Sequence, residues 1–422
     1  MSNSTQPTVK TNYALSIGII GVFFFVFGFV TWLNGILIPY LKIACQLNDF
    51  QSYLVAFAFY ISYVVMALPS AWVLQKTGLK NGMMVGLLVM AVGTVLFIPA
   101  AYTRTYFLFL LGLFVLGTGL AILQTASNPY VTILGPIDRA AQRISIMGIC
   151  NKVAGVISPL ILGAIVLKDS DALVERLKTM SDAAKAVELD ALSQRVVVPY
   201  LIMTGILVAL AGLVRYANLP EVESGTDDTH GDAAANKTSV FDFPYLVLGV
   251  IALFLYVGCE VMAGDTIINY GKSLGIPLST AKVFTSYTLG AMVVGYILGI
   301  IAIPKYIQQD KALAVSAVVG LILSVGATVV SGYNSILCIA LLGLANALMW
   351  PAIWPLAISG LGRFTKIGSS LLVMAIAGGA IFPLIYGKLV GSVGSQQAYW
   401  ILVPCYGFIL YYALVGHKKL NW

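Results

Sequence analysis

Twelve apolar runs, each roughly 20 to 28 residues long, follow one another along the sequence and are joined by short polar segments. An α-helix rises ~1.5 Å per residue, so runs of this length can cross the ~30 Å hydrocarbon core of a bilayer. Only 10% of the residues are charged, whereas a soluble domain has about 25%. The pattern therefore predicts an all-α, polytopic membrane protein with twelve transmembrane helices in a lipid bilayer. The runs lie near residues 13–38, 53–74, 82–101, 107–134, 144–167, 198–217, 244–270, 283–303, 312–331, 335–359, 367–391 and 397–416.

A polar segment separates the first six runs from the last six. Residues 221–239 read EVESGTDDTHGDAAANKTS, an acidic, small-residue composition that cannot bury a core and is typical of a linker. We expect a six-helix bundle over residues 1–217, a linker over 218–243 and a second six-helix bundle over 244–422. The long loop at 168–198 has helical periodicity and is expected to form one short surface helix.

Basic residues predict the orientation in the membrane. The first run is too long for the core of a signal peptide, so we expect it to be retained as the first helix. If the amino terminus is cytoplasmic, the short inner segments carry most of the Lys and Arg residues, which agrees with the positive-inside rule. Both termini are then cytoplasmic. The inner group is Lys10, Lys76, Lys80, Arg139, Arg143, Lys305, Lys311, Arg363, Lys366, Lys418 and Lys419, and the outer group is Lys42, Arg104, Lys272 and Lys282.

Two internal matches indicate that the chain contains a repeat. The sequence GVISPLILG at 155–163 in the fifth run matches GAIFPLIYG at 379–387 in the eleventh, and the fourth and tenth runs also align. Two six-helix units of the same orientation form the parallel repeat that is typical of the major facilitator architecture, in which the binding site lies between the halves.

Three charged residues fall deep inside the predicted spans, where a charge costs about 2.5–3.5 kcal/mol even on the mildest scale. Lys152 lies eight residues into the fifth run, roughly 12 Å from its inner end, which is too deep for the ammonium to reach the interface easily. Its candidate partners, Glu260 and Asp265, lie in the seventh run. On an unbroken helix these two acids point about 140° apart, so only one of them should face a given partner. Gly258 and Gly264 could let this helix bend or unwind.

These charges have two interpretations. In the first, one carboxylate binds the coupling ion and Lys152 is its charge partner, so that pairing or protonation changes during transport. In the second, Lys152 and one acid form a permanent ion pair that holds two helices together.

Amides and tryptophans form a second pattern inside the spans. Gln124 and Asn128 are four residues apart and share a helix face, and the repeat places Trp350 and Trp354 opposite them. A sugar presents hydroxyl groups that need hydrogen bonds and a C–H face that stacks on aromatic rings, so this pairing suits a sugar substrate. The alternative is that the amides join helices and the tryptophans lie in interfacial belts. The predicted substrate-binding residues are Asn34, Gln124, Asn128, Asn151, Asn346, Trp350 and Trp354.

Three segments resemble the fucose/glucose/galactose permease branch of the major facilitator superfamily, and the resemblance covers nearly the whole chain. They are FVTWLNGILIP at 29–39, QTASNPYV at 124–131 and GSSLLVM at 368–374. The likeness to bacterial glucose/galactose and N-acetylglucosamine permeases implies an inner-membrane monosaccharide symporter that works as a monomer by alternating access. The residues that match positions in or near the family's sugar cavity are Asn34, Gln124, Asn128 and Asn151, and Glu260 matches an acid of the seventh helix.

The chain departs from the fucose permease at two positions. That permease has an aspartate where this chain has Gly35 and a glutamate where it has Gln124, and those two carboxylates are its proton and substrate sites. The remaining candidates for ion coupling are Glu260, Asp265 and Lys152. A proton is the expected coupling ion, and Na⁺ near Glu260 or Asp265 is the alternative.

Other functional classes receive less support from the sequence. An efflux antiporter for drugs or sugars should have a mostly apolar cavity, whereas several amides are expected here. An enzyme should bring together His, Asp or Ser residues, but His230 and His417 lie in the linker and the tail, and there is no nucleotide motif or metal cluster. A membrane sugar sensor without transport activity is the remaining alternative function. We expect no enzymatic activity, no cofactor and no nucleic-acid partner.

Overall fold

The computed structural model describes residues 13–133, 140–217, 237–303 and 305–421, and in these ranges the chain forms helices and no strand. Eleven helical segments of this part are long and apolar enough to cross a membrane. One of them spans 55 residues and breaks at Gly78, where a φ of 75° lies in the left-handed region that favours glycine. This segment provides two crossings, so the expected number of twelve is confirmed. Most of the predicted linker, residues 218–236, lies outside the described ranges.

The helices of the first half, residues 13–217, follow the predicted runs. The third helix begins with a capping box, in which the side chains of Asn48 and Gln51 each accept a hydrogen bond from the backbone N–H of the other residue. These bonds satisfy N–H groups that have no partner within the helix. The loop at 168–198 forms two surface helices, Ser170–Thr179 and Asp182–Gln194, where one was predicted. The elements are α1 (Tyr13–Trp32), α2 (Asn34–Ala44), α3 (Asp49–Thr103), α4 (Tyr106–Ile133), α5 (Ala140–Val166), α6 (Ser170–Thr179), α7 (Asp182–Gln194) and α8 (Val197–Tyr216).

The second half, residues 237–421, contains more interrupted spans. The seventh run passes through a π-helical turn at Met262–Thr266, the tenth breaks after Asn346, and the eleventh contains a 3-10 turn at Ala375–Ala377. Its helices are α9 (Pro244–Val261), α10 (Ile267–Ser273), α11 (Leu278–Ala281), α12 (Phe284–Ala302), α13 (Gln309–Val329), α14 (Tyr333–Asn346), α15 (Met349–Ile358), α16 (Thr365–Met374), α17 (Gly378–Val393) and α18 (Leu402–Leu414).

The two halves meet along equivalent helices. The fifth run, α5, packs against α12 of the second half, while the eleventh run, α17, packs against α3 of the first half. The repeat detected in the sequence of runs five and eleven thus appears as an approximately symmetric pair of contacts. We call the side at which α1 begins and α18 ends the terminal face, and the opposite side, which carries α6 and α7, the distal face.

Candidate functional site

A buried ion pair joins the two halves in the middle of the bundle. The ammonium of Lys152 on α5 donates a hydrogen bond to Glu260 Oε1 on α9, with 2.5 Å between the two atoms. Each residue is only 8% exposed. The structure therefore pairs Lys152 of the first half with one of the two candidate acids of the second half, and that acid is Glu260.

The indole of Trp32 closes the other side of the lysine. Lys152 Nζ lies 4.8 Å from the centroid of this ring, a distance at which a cation is attracted to the aromatic face. Trp32 is the last residue of α1 and is itself 2% exposed. Sequence reasoning did not select Trp32, because a single aromatic residue in an apolar run is ordinarily a packing residue.

Asp265 lies in the π-helical turn and is completely buried. Neither carboxylate oxygen has a hydrogen-bond partner among the described residues. The expected angle of 140° between the two acids does not apply, because the run between them is not an unbroken α-helix. In a π-turn the backbone hydrogen bonds join residues i and i+5, so the direction of the Asp265 side chain differs from that on an α-helix. The Asp265 carboxyl group lies close enough to Glu260 for an electrostatic interaction between them.

The π-turn is held by two hydroxyl groups of α12. Thr285 donates a hydrogen bond to the carbonyl of Gly264 at 2.6 Å, and Thr288 donates one to the carbonyl of Ala263 at 3.0 Å. A π-turn leaves backbone carbonyls without their α-helical partners, and these two threonines supply replacements. The interruption expected around Gly264 is therefore a defined structural element.

Polar groups from the first half lie against the π-turn. Asn34, at the start of α2, is fully buried, and its side chain lies beside the hydroxyl of Tyr60 on α3. Tyr60 is also within electrostatic range of Asp265 and Glu260. Neither the Asn34 amide nor the Tyr60 hydroxyl makes a hydrogen bond of normal geometry within the part of the chain that is described.

Amide and aromatic side chains lie further toward the terminal face. Gln124 is half-buried, and its Nε2 donates to the hydroxyl of Tyr63 at 3.1 Å. Trp350 and Trp354 are also half-buried and stack with ring centroids 5.4 Å apart and an interplanar angle of 22°. Tyr256 extends the aromatic group, with 6.5 Å between its centroid and that of Trp350.

Other predicted substrate residues differ in their placement. Asn346 does not continue the tryptophan stripe, because α14 ends there and α15 begins three residues later. It is fully buried, and its Oδ1 accepts a hydrogen bond from the Tyr406 hydroxyl at 2.9 Å, so it joins α14 to α18. Asn151 is half-buried on α5. Asn128 belongs to α4, but its side chain lies outside the described part of the structure.

The distal ends of the two halves are in contact. Asp171 on α6 accepts hydrogen bonds from the backbone N–H groups of Leu278 and Ser279 on α11, at 2.7 and 2.9 Å. The rings of Tyr53 and Tyr386 also meet edge to face across the halves, with centroids 5.6 Å apart. The structure is therefore closed on its distal face.

Comparisons with known proteins agree with this architecture. The profile of the family described as Major Facilitator Superfamily matches residues 20–383. A glucose/galactose transporter of Brucella abortus is 37% identical over 418 residues, which cover 98% of this chain and 97% of that protein. An L-fucose-proton symporter of Escherichia coli is 29% identical, covering 95% of this chain and 93% of that one. A crystal structure of a major facilitator transporter, FucP, in the outward conformation is similar with a TM-score of 0.71 at 27% identity, covering 95% of this chain and 98% of that chain.

Proposed function

Since this chain belongs to the major facilitator superfamily, we propose that it imports a monosaccharide across the bacterial inner membrane by proton symport. The buried ion pair between Lys152 and Glu260 is the observation that carries this proposal. A transporter with alternating access must separate its halves first on one face and then on the other. The distance within a charge pair that bridges the halves changes during that motion. Burying two charges is energetically unfavourable, and a protein whose halves do not move has no need of such a pair.

The substrate class follows from the side chains between the ion pair and the terminal face. The Gln124 amide and the Tyr63 hydroxyl can hydrogen-bond to sugar hydroxyls, while the stacked Trp350 and Trp354 rings offer a flat apolar surface to a sugar C–H face. Two similar proteins are described as a glucose/galactose transporter and an L-fucose-proton symporter. We therefore place the substrate among the hexoses, with glucose and galactose first and N-acetylglucosamine as a related candidate.

The orientation follows from the basic loops. The terminal face is cytoplasmic and the distal face is periplasmic, because loops on the terminal side hold the excess of Lys and Arg. Each six-helix half then acts as one body, and the single chain forms the complete transport unit. With the distal ends in contact, the half-buried Gln124, Trp350 and Trp354 lie on the cytoplasmic side of the ion pair, where sugar is released.

The test is uptake of radiolabelled glucose, galactose, N-acetylglucosamine and fucose into proteoliposomes. Each sugar is offered under an inward proton gradient and, separately, under an inward Na⁺ gradient, with protein-free liposomes as the control. We expect glucose or galactose to accumulate under the proton gradient alone. If none of the four sugars accumulates under either gradient, the symport proposal is wrong, and export or sensing without transport takes its place.

A further inference from the structure

We propose that Asp265 is the residue that carries the transported proton, in a buried site beside Tyr60, while Lys152 and Glu260 remain paired with each other. This inference deepens the proposed function and rests on it. It separates two roles among the three intramembrane charges. One acid is neutralised by a lysine, and the other is neutralised by the proton that is transported.

The burial of Asp265 supports its protonated state in this arrangement. The residue is 0% exposed, and within the described ranges neither carboxylate oxygen has a hydrogen-bond partner. An ionised carboxylate without a partner costs several kcal/mol in such surroundings, so the group takes up a proton instead.

Among the described residues, no basic side chain is paired with Asp265. Lys152 is engaged with Glu260 at 2.5 Å, and the remaining charge of Glu260 is of the same sign as that of an ionised Asp265. The titratable side chains that surround the site are Glu260 on the same run, Tyr53 and Tyr60 on α3, Tyr399 beside Thr266, and Lys152 on α5.

The same geometry favours a proton over Na⁺. A Na⁺ ion in an unwound helix draws oxygen ligands from the freed backbone carbonyls. Here the carbonyls of Ala263 and Gly264 already accept hydrogen bonds from Thr288 and Thr285. The Tyr60 hydroxyl lies near Asp265, and a hydroxyl neighbour suits a neutral carboxylic acid.

Asp265 lies closer to the distal face than Glu260 does. It lies five residues beyond Glu260 toward the distal face, and it is covered where α2 packs against the π-turn. When the distal ends separate, a proton from periplasmic water bonds to one Asp265 oxygen. Once the distal ends have closed and water reaches Asp265 from the cytoplasmic side, that O–H bond breaks, the proton transfers to this water, and the carboxylate is regenerated.

The variant that tests this assignment is Asp265→Asn, a neutral mimic of the protonated acid. In proteoliposomes we expect galactose counterflow to remain measurable. We also expect loss of proton-driven accumulation, so that internal galactose only reaches the external concentration. If Asp265→Asn concentrates galactose as the wild type does, Asp265 does not carry the proton. Accumulation by the wild type under a Na⁺ gradient alone also overturns the assignment.

A second measurement keeps the proposal testable if Asp265→Asn does not fold. Asp265 is the one aspartate among the described residues that is buried, so infrared spectra of the wild-type protein with ¹³C-labelled aspartate report on it selectively. We expect a carboxylic-acid C=O band at neutral pH that shifts with the label. Absence of such a band overturns the proposal. Failure of the proposed function appears separately, as a wild-type protein that accumulates no sugar under either gradient.

Discussion

Asp171 and Leu278 belong to different halves of the chain, and the hydrogen bond between them, 2.7 Å long, ties the halves together on the distal face. The second carboxylate oxygen of Asp171 accepts a bond from Ser279 at 2.9 Å. The two bonds join a surface helix to the loop region between the seventh and eighth runs. Opening the distal face must break both of them, so they act as a latch on the closed state.

We predict that Asp171→Asn weakens this latch, because an amide has one acceptor oxygen and no charge. A loss of about 1 kcal/mol makes the distal-open population roughly fivefold larger. Spin labels attached at Ser181→Cys and Ser331→Cys, on exposed distal loops of the two halves, report the change as longer distances in electron–electron resonance. The control is Asp169→Asn, which removes the same charge from an exposed residue two positions away. Equal distance distributions in the two variants would show that Asp171 is no latch.

The latch also has a defined pH dependence. Burial alone would raise the pKa of Asp171, but the hydrogen bonds from Ser279 and from the backbone of Leu278 outweigh burial and hold this pKa below its usual value. In the open state the carboxyl has an ordinary pKa of about 3.9. The latch therefore contributes fully above the ordinary pKa and is lost as the pH falls through the lowered one. We expect wild-type distal distances to match those of Asp171→Asn only in strong acid.

A second prediction concerns the ion pair between Lys152 and Glu260. Glu260→Gln or Lys152→Met leaves one buried charge alone and should destabilise the protein by about 3–5 kcal/mol. In Glu260→Gln the free lysine also draws Asp265 into its ionised form, so accumulation is lost while galactose counterflow continues.

The double variant Lys152→Met/Glu260→Gln completes a double-mutant cycle. It removes both charges together, so we expect its thermal unfolding temperature to lie above that of either single variant and proton-driven accumulation to return in part. A double variant whose destabilisation is the sum of the two single effects would argue against a direct interaction.

The stacked tryptophans provide a third prediction. Trp350→Ala removes one ring of the Trp350–Trp354 stack and should raise the KM for galactose about tenfold, equivalent to ~1.4 kcal/mol, with little change in maximal rate. Trp350→Phe keeps an aromatic face and should retain most of the affinity. The control is Trp400→Ala, a 45% exposed tryptophan outside this group. A KM that Trp350→Ala leaves unchanged removes this residue from the substrate site.

Gly35 provides the fourth prediction. A Cβ atom at this position would lie 2.7 Å from Thr285 Oγ1 and 3.3 Å from the carbonyl oxygen of Gly264. Because that hydroxyl is already bonded to Gly264, Gly35→Ala should destabilise the distal-closed state by about 1–3 kcal/mol. Gly18→Ala, where nothing lies within 4 Å, is the matched control. Indistinguishable thermal unfolding of the two variants would contradict the close packing of α2.

The sequence predicted the crossings well, because one physical quantity decides them. An apolar run of about twenty residues has no better environment than a bilayer, so the runs at 244–270 and 335–359 could be located without knowledge of their neighbours. The pairing of Lys152 with an acid of the seventh run was also accessible, since a buried charge needs a partner wherever the chain folds.

The interruptions within the runs could not be predicted in this way. The π-turn at Met262–Thr266 depends on the Thr285 and Thr288 hydroxyls from another helix, and no local pattern shows that contact. The break after Asn346 likewise turns that amide toward Tyr406, which an ideal spacing of four residues does not reveal. Helix phase, and with it the direction of each polar side chain, is decided by tertiary contacts.

Among the described residues, one buried lysine and two buried acids lie inside the helix bundle, and this imbalance has an electrical consequence. With a proton on Asp265, the charges of Lys152 and Glu260 cancel, so the loaded carrier changes conformation without moving net charge through the membrane. After the proton leaves, the same three residues sum to −1. A membrane potential acts on one elementary charge with about 2.3 kcal/mol per 100 mV. A cell that is negative inside therefore drives the return of the empty carrier, so that voltage sets how fast the transporter is reset.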